Sequence, residues 1–531
     1  MKCGVAWFGM VVVASVLFPA ASQDPENLSL PESFDSEMPL YTSALGTFTR
    51  PISSSNPEAQ QFFNQGFQLM YAFAKIDAAR SFREAQKHDP DCAICYWGEA
   101  WAWGSYLNGP MRIDESPRAY AAIQKALELS ADHANRTEQA FINAMAVRYV
   151  ENFDPEKRVE QDRAYANAMR QLAERYPNDL DAATLYADAL FLLEPRRGLR
   201  DINDPNVQRL HQVLEAILAV DIRHPGACHL YVHATESTIQ PEKAENCAEF
   251  LGDAIPGASH INHMPSHTWN EIGRWGDSVR ANLRAWHSDQ KAKQGEGLAI
   301  YPSHNLHMLL FAASMDGQGA IAIQAGKDYA KLTGDTFYQA LTLLRFGRFD
   351  ELANVTPRPE KEISAGLWDF AQGYAYLRMG ETGFARAYLE RVRQIAATSE
   401  QLLRFHPGKQ ILTIVAEILE GEIHYQAGDH DRGIVSFERA VSTEDELMYD
   451  EPEPLPFSAR HWLGAALLET HRYEEAERVY REDLLDHPHN GWSLFGLKTA
   501  LESQAKPSED VTNDLLQSWA RSDTWLNSSR F

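Results

Sequence analysis

The chain repeats itself at a spacing of about 34 residues, and this restricts the fold more than any other feature. The stretch ARHWLGAALLETHRYEEAERVYREDLLDHP, from Ala459 to Pro488, carries Leu463-Gly464, Tyr473, Ala476, Tyr480 and Pro488 at tetratricopeptide spacing. A second copy follows Phe62, with Gly66, Ala78, Phe82, Ala85 and Pro90. Further units begin near Asp369 (Gly373, Ala385, Leu389) and Leu412 (Gly421, Phe437, Ala440), and another runs from His263 to Asp289. Small residues at the Gly and Ala positions let paired helices approach closely, and large ones fill the next layer. Strand signals are scarce, while segments of 3.6-residue period alternate with short Gly/Asp/Pro turns. The expected fold is all-α: a tetratricopeptide-type solenoid of helical hairpins, wound into a superhelix with a concave groove.

The repeats occupy residues 57–503. Residues 1–22 read as a signal peptide, with Lys2, an apolar run from Val5 to Phe18, and small residues at Ala20-Ala21-Ser22. The chain is therefore expected to be exported, periplasmic or secreted, and to start near Gln23. Residues 23–56 form an extended N-terminal arm rich in Ser, Pro and Glu. Residues 504–531 supply a linker and a capping helix near Val511–Ala520. No later segment offers about 20 unbroken apolar residues, so no membrane span is expected after cleavage. The net charge of −25 argues against nucleic acid as a partner, because phosphate binding needs Lys and Arg.

Cys92, Cys95, Cys228 and Cys247 remain after the leader, an even number that suits disulfides in an oxidising compartment. Cys92-x-x-Cys95 stands at a helix start, where redox or metal chemistry is an alternative. A Cys228–Cys247 bridge would brace the helix that carries His229.

The sharpest chemical signal is histidine. The chain holds 19 in 531 residues, and eight lie between His229 and His307, where its average would give about three. Seven fall in HLYVHATE, HINHMPSH and HNLHML: His229 and His233; His260, His263 and His267; His304 and His307. Their i,i+3, i,i+4 and i,i+7 spacings put each group on one face of its own helix. Glu236 joins the first face. Neighbouring hairpins of a solenoid can bring such faces together in the groove. Imidazole and carboxylate are ligands for a divalent transition metal, Zn, Cu or Fe. Eight groups exceed what one Zn needs, so either two ions share the site or some residues orient the others. The interleaved Asn262, Ser266, Ser303 and Asn305 are candidates for orienting. Leu-Tyr-Val between His229 and His233 leaves an HExxH protease reading unsupported.

Two weaker signals remain. In CYWGEAWAWGSYLNGPM, Trp97 and Trp101 share a helix face, which makes an aromatic groove wall with Glu99 and Asn108 as polar contacts. Plain repeat core is the competing reading. In MYDEPEPLPF, Tyr449, Asp450 and Glu451 are groove candidates, against an ordinary inter-repeat loop.

With FNQGFQLMYAF, HPGACHLYVHATE, HINHMPSH, YPSHNLHM and REDLLDHPHNGWSLFGL, the chain resembles a group of secreted, mostly uncharacterised bacterial tetratricopeptide proteins over roughly residues 58–500. The resemblance implies the fold and a His-lined site, and no catalytic role. Similar proteins often carry Asn-His after the YAF segment, where this chain has Ala74-Lys75.

The expected function is binding, of a metal ion or of a protein or small-molecule ligand through it. A metalloenzyme, hydrolytic or oxidative, is the first alternative. A metal-free protein-interaction scaffold is the second.

Overall fold

In the computed structural model, residues 32–194 and 198–531 are described. The expected leader and the first part of the arm lie outside the described residues. From Pro57 to Ser518 helix follows helix, and the strands among the described residues are the antiparallel pair Leu402–Leu403 and His406–Pro407. The all-α expectation holds. Among the described residues no helix is long and apolar enough to cross a membrane.

The first hairpin shows how sequence sets the repeat. Asn56 caps the helix Pro57–Tyr71 by accepting from the amides of Glu58 and Ala59, and Pro57 fills a position that needs no amide partner. Phe73 turns the chain in the left-handed region, φ 61°, and Lys75–His88 packs back. Gly66, and Gly98 on the next helix, both lie against the Phe82 ring, where a Cβ would stand within 3 Å of it. Gly464 and Gly496 meet Tyr480 in the same way. The Gly66–Phe82 and Gly464–Tyr480 contacts follow the repeat pattern, and Gly98 and Gly496 complete a small–large–small sandwich at both ends of the array.

The buried hydrophobics form two large cores. One draws on Phe34 to Ile300, and the other on Trp275 to Leu501. Each is tied by a terminal segment. The arm lies on the first hairpin: Gln65 and Gln68 accept from the amides of Tyr41 and Gly46, each at 2.8 Å, and Arg50 pairs with Asp179 and Asp181. The last helix is Glu509–Ser518. Beyond it the tail returns over the second core. Arg521 pairs with Asp316 at 2.8 Å, Asp523 accepts from the amides of Gly319 and Ala320, and Arg530 reaches Glu422 and Glu469.

The segment between the cores carries the histidines. Pro225–Thr235 is bonded to Glu245–Leu251 through Cys228–Cys247, and Cys92 is bonded to Cys95. Pro265 has no amide to donate, so the HINHMPSH segment divides into Ser259–His263 and Pro265–Glu271. Met264 between them keeps helical angles, φ −51° and ψ −36°, so the histidines stay on one face. The stretch 293–301 between helices is anchored where Leu298 pairs with Ala258, and it enters Pro302–Met315 through Tyr301 at φ 56°.

Candidate metal centre

Six of the seven expected histidines come together at the seam. His229 and His233 are on Pro225–Thr235, His260 and His263 on Ser259–His263, His267 on Pro265–Glu271, and His304 on Pro302–Met315. Ring centres stand 5.0 Å apart for His229 and His260, 5.1 Å for His260 and His263, and 4.7 Å for His263 and His304. Ligand atoms of His229, His233 and His260 lie within 4.8 Å of one another, as do those of His263, His267 and His304. Phe73 covers the first trio, its ring 4.2 Å from that of His229.

Hydrogen bonds decide which nitrogen of each ring points inward. A neutral imidazole carries one N–H and one lone pair. His229 donates from Nδ1 to the Tyr71 carbonyl at 2.6 Å. His233 and His267 donate from Nδ1 to the two oxygens of Glu236, at 2.8 and 2.5 Å. His263 donates from Nδ1 to Asn282 Oδ1 at 3.3 Å, an oxygen so assigned because Asn282 Nδ2 donates to the Ser278 carbonyl. In all four rings an oxygen acceptor takes the Nδ1 proton, which makes Nε2 the nitrogen that a neutral ring would turn toward a metal. The Nε2 atoms of His263 and His267 stand 3.0 Å apart. The buried Nε2 of His229 and both buried nitrogens of His260 meet no hydrogen-bond partner from the protein. An unsatisfied buried polar group costs about 1–3 kcal/mol, so such a cluster is expensive unless a cation or a water joins it.

Charge follows burial. Burial holds His229, His260, His263 and His304 well below the ordinary imidazole value, and neighbouring histidines add to the effect. Burial also pulls His267 down, but the charge and hydrogen bond of Glu236, with help from Glu451, outweigh it and raise the ring to about 9. Burial pushes the Glu236 carboxyl up, and Glu451 adds to that. Glu451 Oε2 lies 3.3 Å from His267 Nδ1. The MYDEPEPLPF segment therefore reaches the site from the far half of the chain.

Several expected residues take other places. His307 turns away: Nε2 meets the Tyr338 hydroxyl at 2.6 Å and the ring bonds the Glu453 backbone. Glu236, expected as a ligand, gives its two oxygens to Nδ1 of His233 and of His267, and with these two rings and Glu451 it also forms a buried group whose ligand atoms lie within 4.8 Å of one another. Of the expected orienting residues, Ser266 stands at a cluster ring: its hydroxyl donates to the His263 carbonyl and lies 3.5 Å from His263 Nδ1. Asn262 donates instead to the Gly252 carbonyl and Asn305 to Asp289, and Ser303 is buried at the start of its helix. Trp97 is packed between Phe67 and Phe141 in the repeat interior, because that helix turns its aromatic face to the first hairpin. Glu99 accepts from Gln86 rather than facing the groove, and Asn108 sits in the tight turn closed by Tyr106 and Gly109. Trp101 lines a small cavity with Tyr71, Phe73, Tyr106, Asp188 and His229. Sequence reasoning missed the Tyr71 carbonyl and Asn282. Neither has a local signature, since the contact is made only when the hairpins stack.

No family model and no curated protein matches the chain. It is similar in structure to the human IFIT1 dimer with m7Gppp-AAAA, at 10% identity over 81% of this chain and 90% of that one, with a TM-score of 0.31. The P58(IPK) TPR domain gives 11% identity over 84% and 98%, with a TM-score of 0.22. Yeast Tom70 gives 12% identity over 89% and 93%, with a TM-score of 0.27. Overlap this loose says nothing about ligand or partner.

Proposed function

We propose that this chain is an exported metal-binding protein, in which the helical array holds a divalent transition metal, Zn, Cu or Fe, at the seam between its two cores. One observation carries the reading. Four imidazoles give their Nδ1 protons to oxygen acceptors, and the lone pairs of His263 and His267 then face each other across 3.0 Å in a buried space. Two facing lone pairs repel unless a cation stands between them. Nitrogen ligands on one tetrahedral Zn lie about 3.3 Å apart at Zn–N distances near 2.05 Å, close to the separation found here. Binding of a protein or small molecule at the seam would then pass through the metal.

A second reading has its own support. Glu236 and Glu451 favour a proton on His267, and that proton can serve as the bridging cation, which makes the cluster a metal-free brace of an interaction scaffold. Elemental analysis of the full chain, followed by thermal shift with added Zn or Cu on wild type and on His267→Ala, separates the two. The metal reading expects bound metal and a metal-dependent rise in melting temperature that the variant lacks. A wild type that binds no metal and melts at the same temperature with or without it overturns that reading.

The enzyme alternative rests on the cavity beside His229. Its volume of about 20 Å³ is room for a water molecule at an open coordination position. Turnover that is abolished by chelation and restored by metal would support it.

A further inference from the structure

The geometry points to two metal centres rather than one, His229–His233–His260 and His263–His267–His304, coupled through the single carboxylate of Glu236. The inference rests on the metal-binding reading above and assigns the site its composition.

Ligand counting comes first. A Zn-like ion takes four ligands. The two trios together offer six imidazoles. One ion would leave at least two of these rings buried with an uncompensated lone pair. The rings that would be left are identifiable. With an ion on the His263–His267 edge, His229 Nε2 and both nitrogens of His260 remain as the buried atoms without a partner. These are the atoms of the other trio. Each trio meets the three-ligand pattern of an open metal site on its own, with ligand atoms within 4.8 Å of one another.

Glu236 is the second observation. One oxygen holds Nδ1 of His233, a member of the first trio, and the other holds Nδ1 of His267, a member of the second. Each bond is the carboxylate–histidine contact that orients a ligating ring and raises its basicity. Here one carboxylate makes both. It lies buried with Glu451 close by, so negative charge stands between two places where cations would otherwise repel each other. A cation bound by one trio draws on the charge that serves the other, so the ions bind in sequence and not with equal affinity.

The test uses the full-length chain, with Zn(II) and, as a spectroscopic probe, Co(II). Equilibrium dialysis with elemental analysis is expected to give two Zn per chain for wild type, one for His260→Ala, one for His304→Ala and none for the double variant. One Zn in wild type, lost equally in both single variants, overturns the two-centre proposal and leaves metal binding standing. Two Zn retained by both single variants also overturns it, because the ions would then lie elsewhere. No Zn in wild type overturns both readings. Should an alanine variant fail to fold by circular dichroism, titration of wild type with Co(II) decides alone. Two successive absorption phases ending at two equivalents support the proposal, and one phase ending at one equivalent overturns it. In Glu236→Gln both phases shift to weaker binding, by about 10–100-fold each, whereas a brace for one centre alone would move a single phase.

Discussion

His461 and His487 are buried as His229 and His260 are, yet their surroundings differ in kind. His461 accepts from Arg345 at 3.1 Å through Nδ1 and donates to Asp483 at 3.2 Å through Nε2. His487 bonds Asp483 at 3.2 Å and Glu453 at 3.0 Å. Asp483 also accepts from Asn490 and Ser493, so the network closes on itself. At the seam the oxygen acceptors of His229, His233, His263 and His267 serve Nδ1, and the Nε2 atoms of His263 and His267 face each other. Burial alone therefore does not mark a ligand histidine. His461 and His487 have both nitrogens answered by the protein, whereas His229 keeps one buried nitrogen without a protein partner and His260 keeps two.

The largest effect that can break this contrast is on stability. Removing one partner of a buried charged network costs about 3–5 kcal/mol, so His461→Ala should lower the denaturation midpoint sharply, with or without metal. Its metal affinity should stay within about threefold of wild type, as read by competition with a chromophoric chelator. Loss of metal binding in that variant would mean that the His461 network and the metal cluster are not independent.

His263→Ala is the mirror experiment. At a thousandfold excess of metal over Kd, bound metal stabilises the native state by about 4 kcal/mol, and the variant should lose most of that increment. Its metal-free melting temperature should fall much less than that of His461→Ala. A larger fall without metal would move the seam into the structural class.

Reducing Cys228–Cys247 should come next. The bridge spans 19 residues, for which loop-closure entropy gives about 3 kcal/mol. Because it fixes the helix that carries His229, reduction should weaken metal binding at the first trio before the second. Equal weakening of both would separate the bridge from the site.

The smallest effect is on pH dependence. Burial raises Asp483, but its interactions with His461 and His487 outweigh it and hold the carboxyl well below its ordinary value. A carboxyl depressed in the folded state contributes stability above its unfolded value, near 3.9, and loses it as pH falls through the folded one. Asp483→Asn, less stable at neutral pH, should therefore show a flatter acid limb than wild type in denaturation between about pH 5 and 2. An unchanged acid limb would show that Asp483 is not the group that senses acid there.

Much of this was legible in the chain. The Gly66–Phe82 contact follows from spacing, and the two-turn step from His260 to His267 survives the Pro265 break because Met264 stays helical. His307 shows the limit. Three residues after His304 it is offset by about 60° around the helix, enough to meet Tyr338 of the next hairpin instead of the cluster. Spacing defines a face only to within that angle, and the neighbour across the groove decides the rest. Glu451 was visible as a candidate in its loop, but its approach to His267 joins positions far apart in sequence. Such contacts are set by the pitch of the superhelix, which no local window contains.

A stacked repeat array behaves as a spring, because each hairpin touches only its neighbours. In this chain both coils of the spring are lashed. The arm ties Ala44 to the Gly257 amide and Arg50 to Asp179 and Asp181, and the tail ties Asp316, Gly319 and Glu422 to residues 521–530. Stretching either half must first break its lashing. The joint between the lashed halves is where the imidazoles of one half meet His304 and Glu451 of the other. An ion held there would act as the rivet of the joint, and pulling the ends apart would read its presence as stiffness.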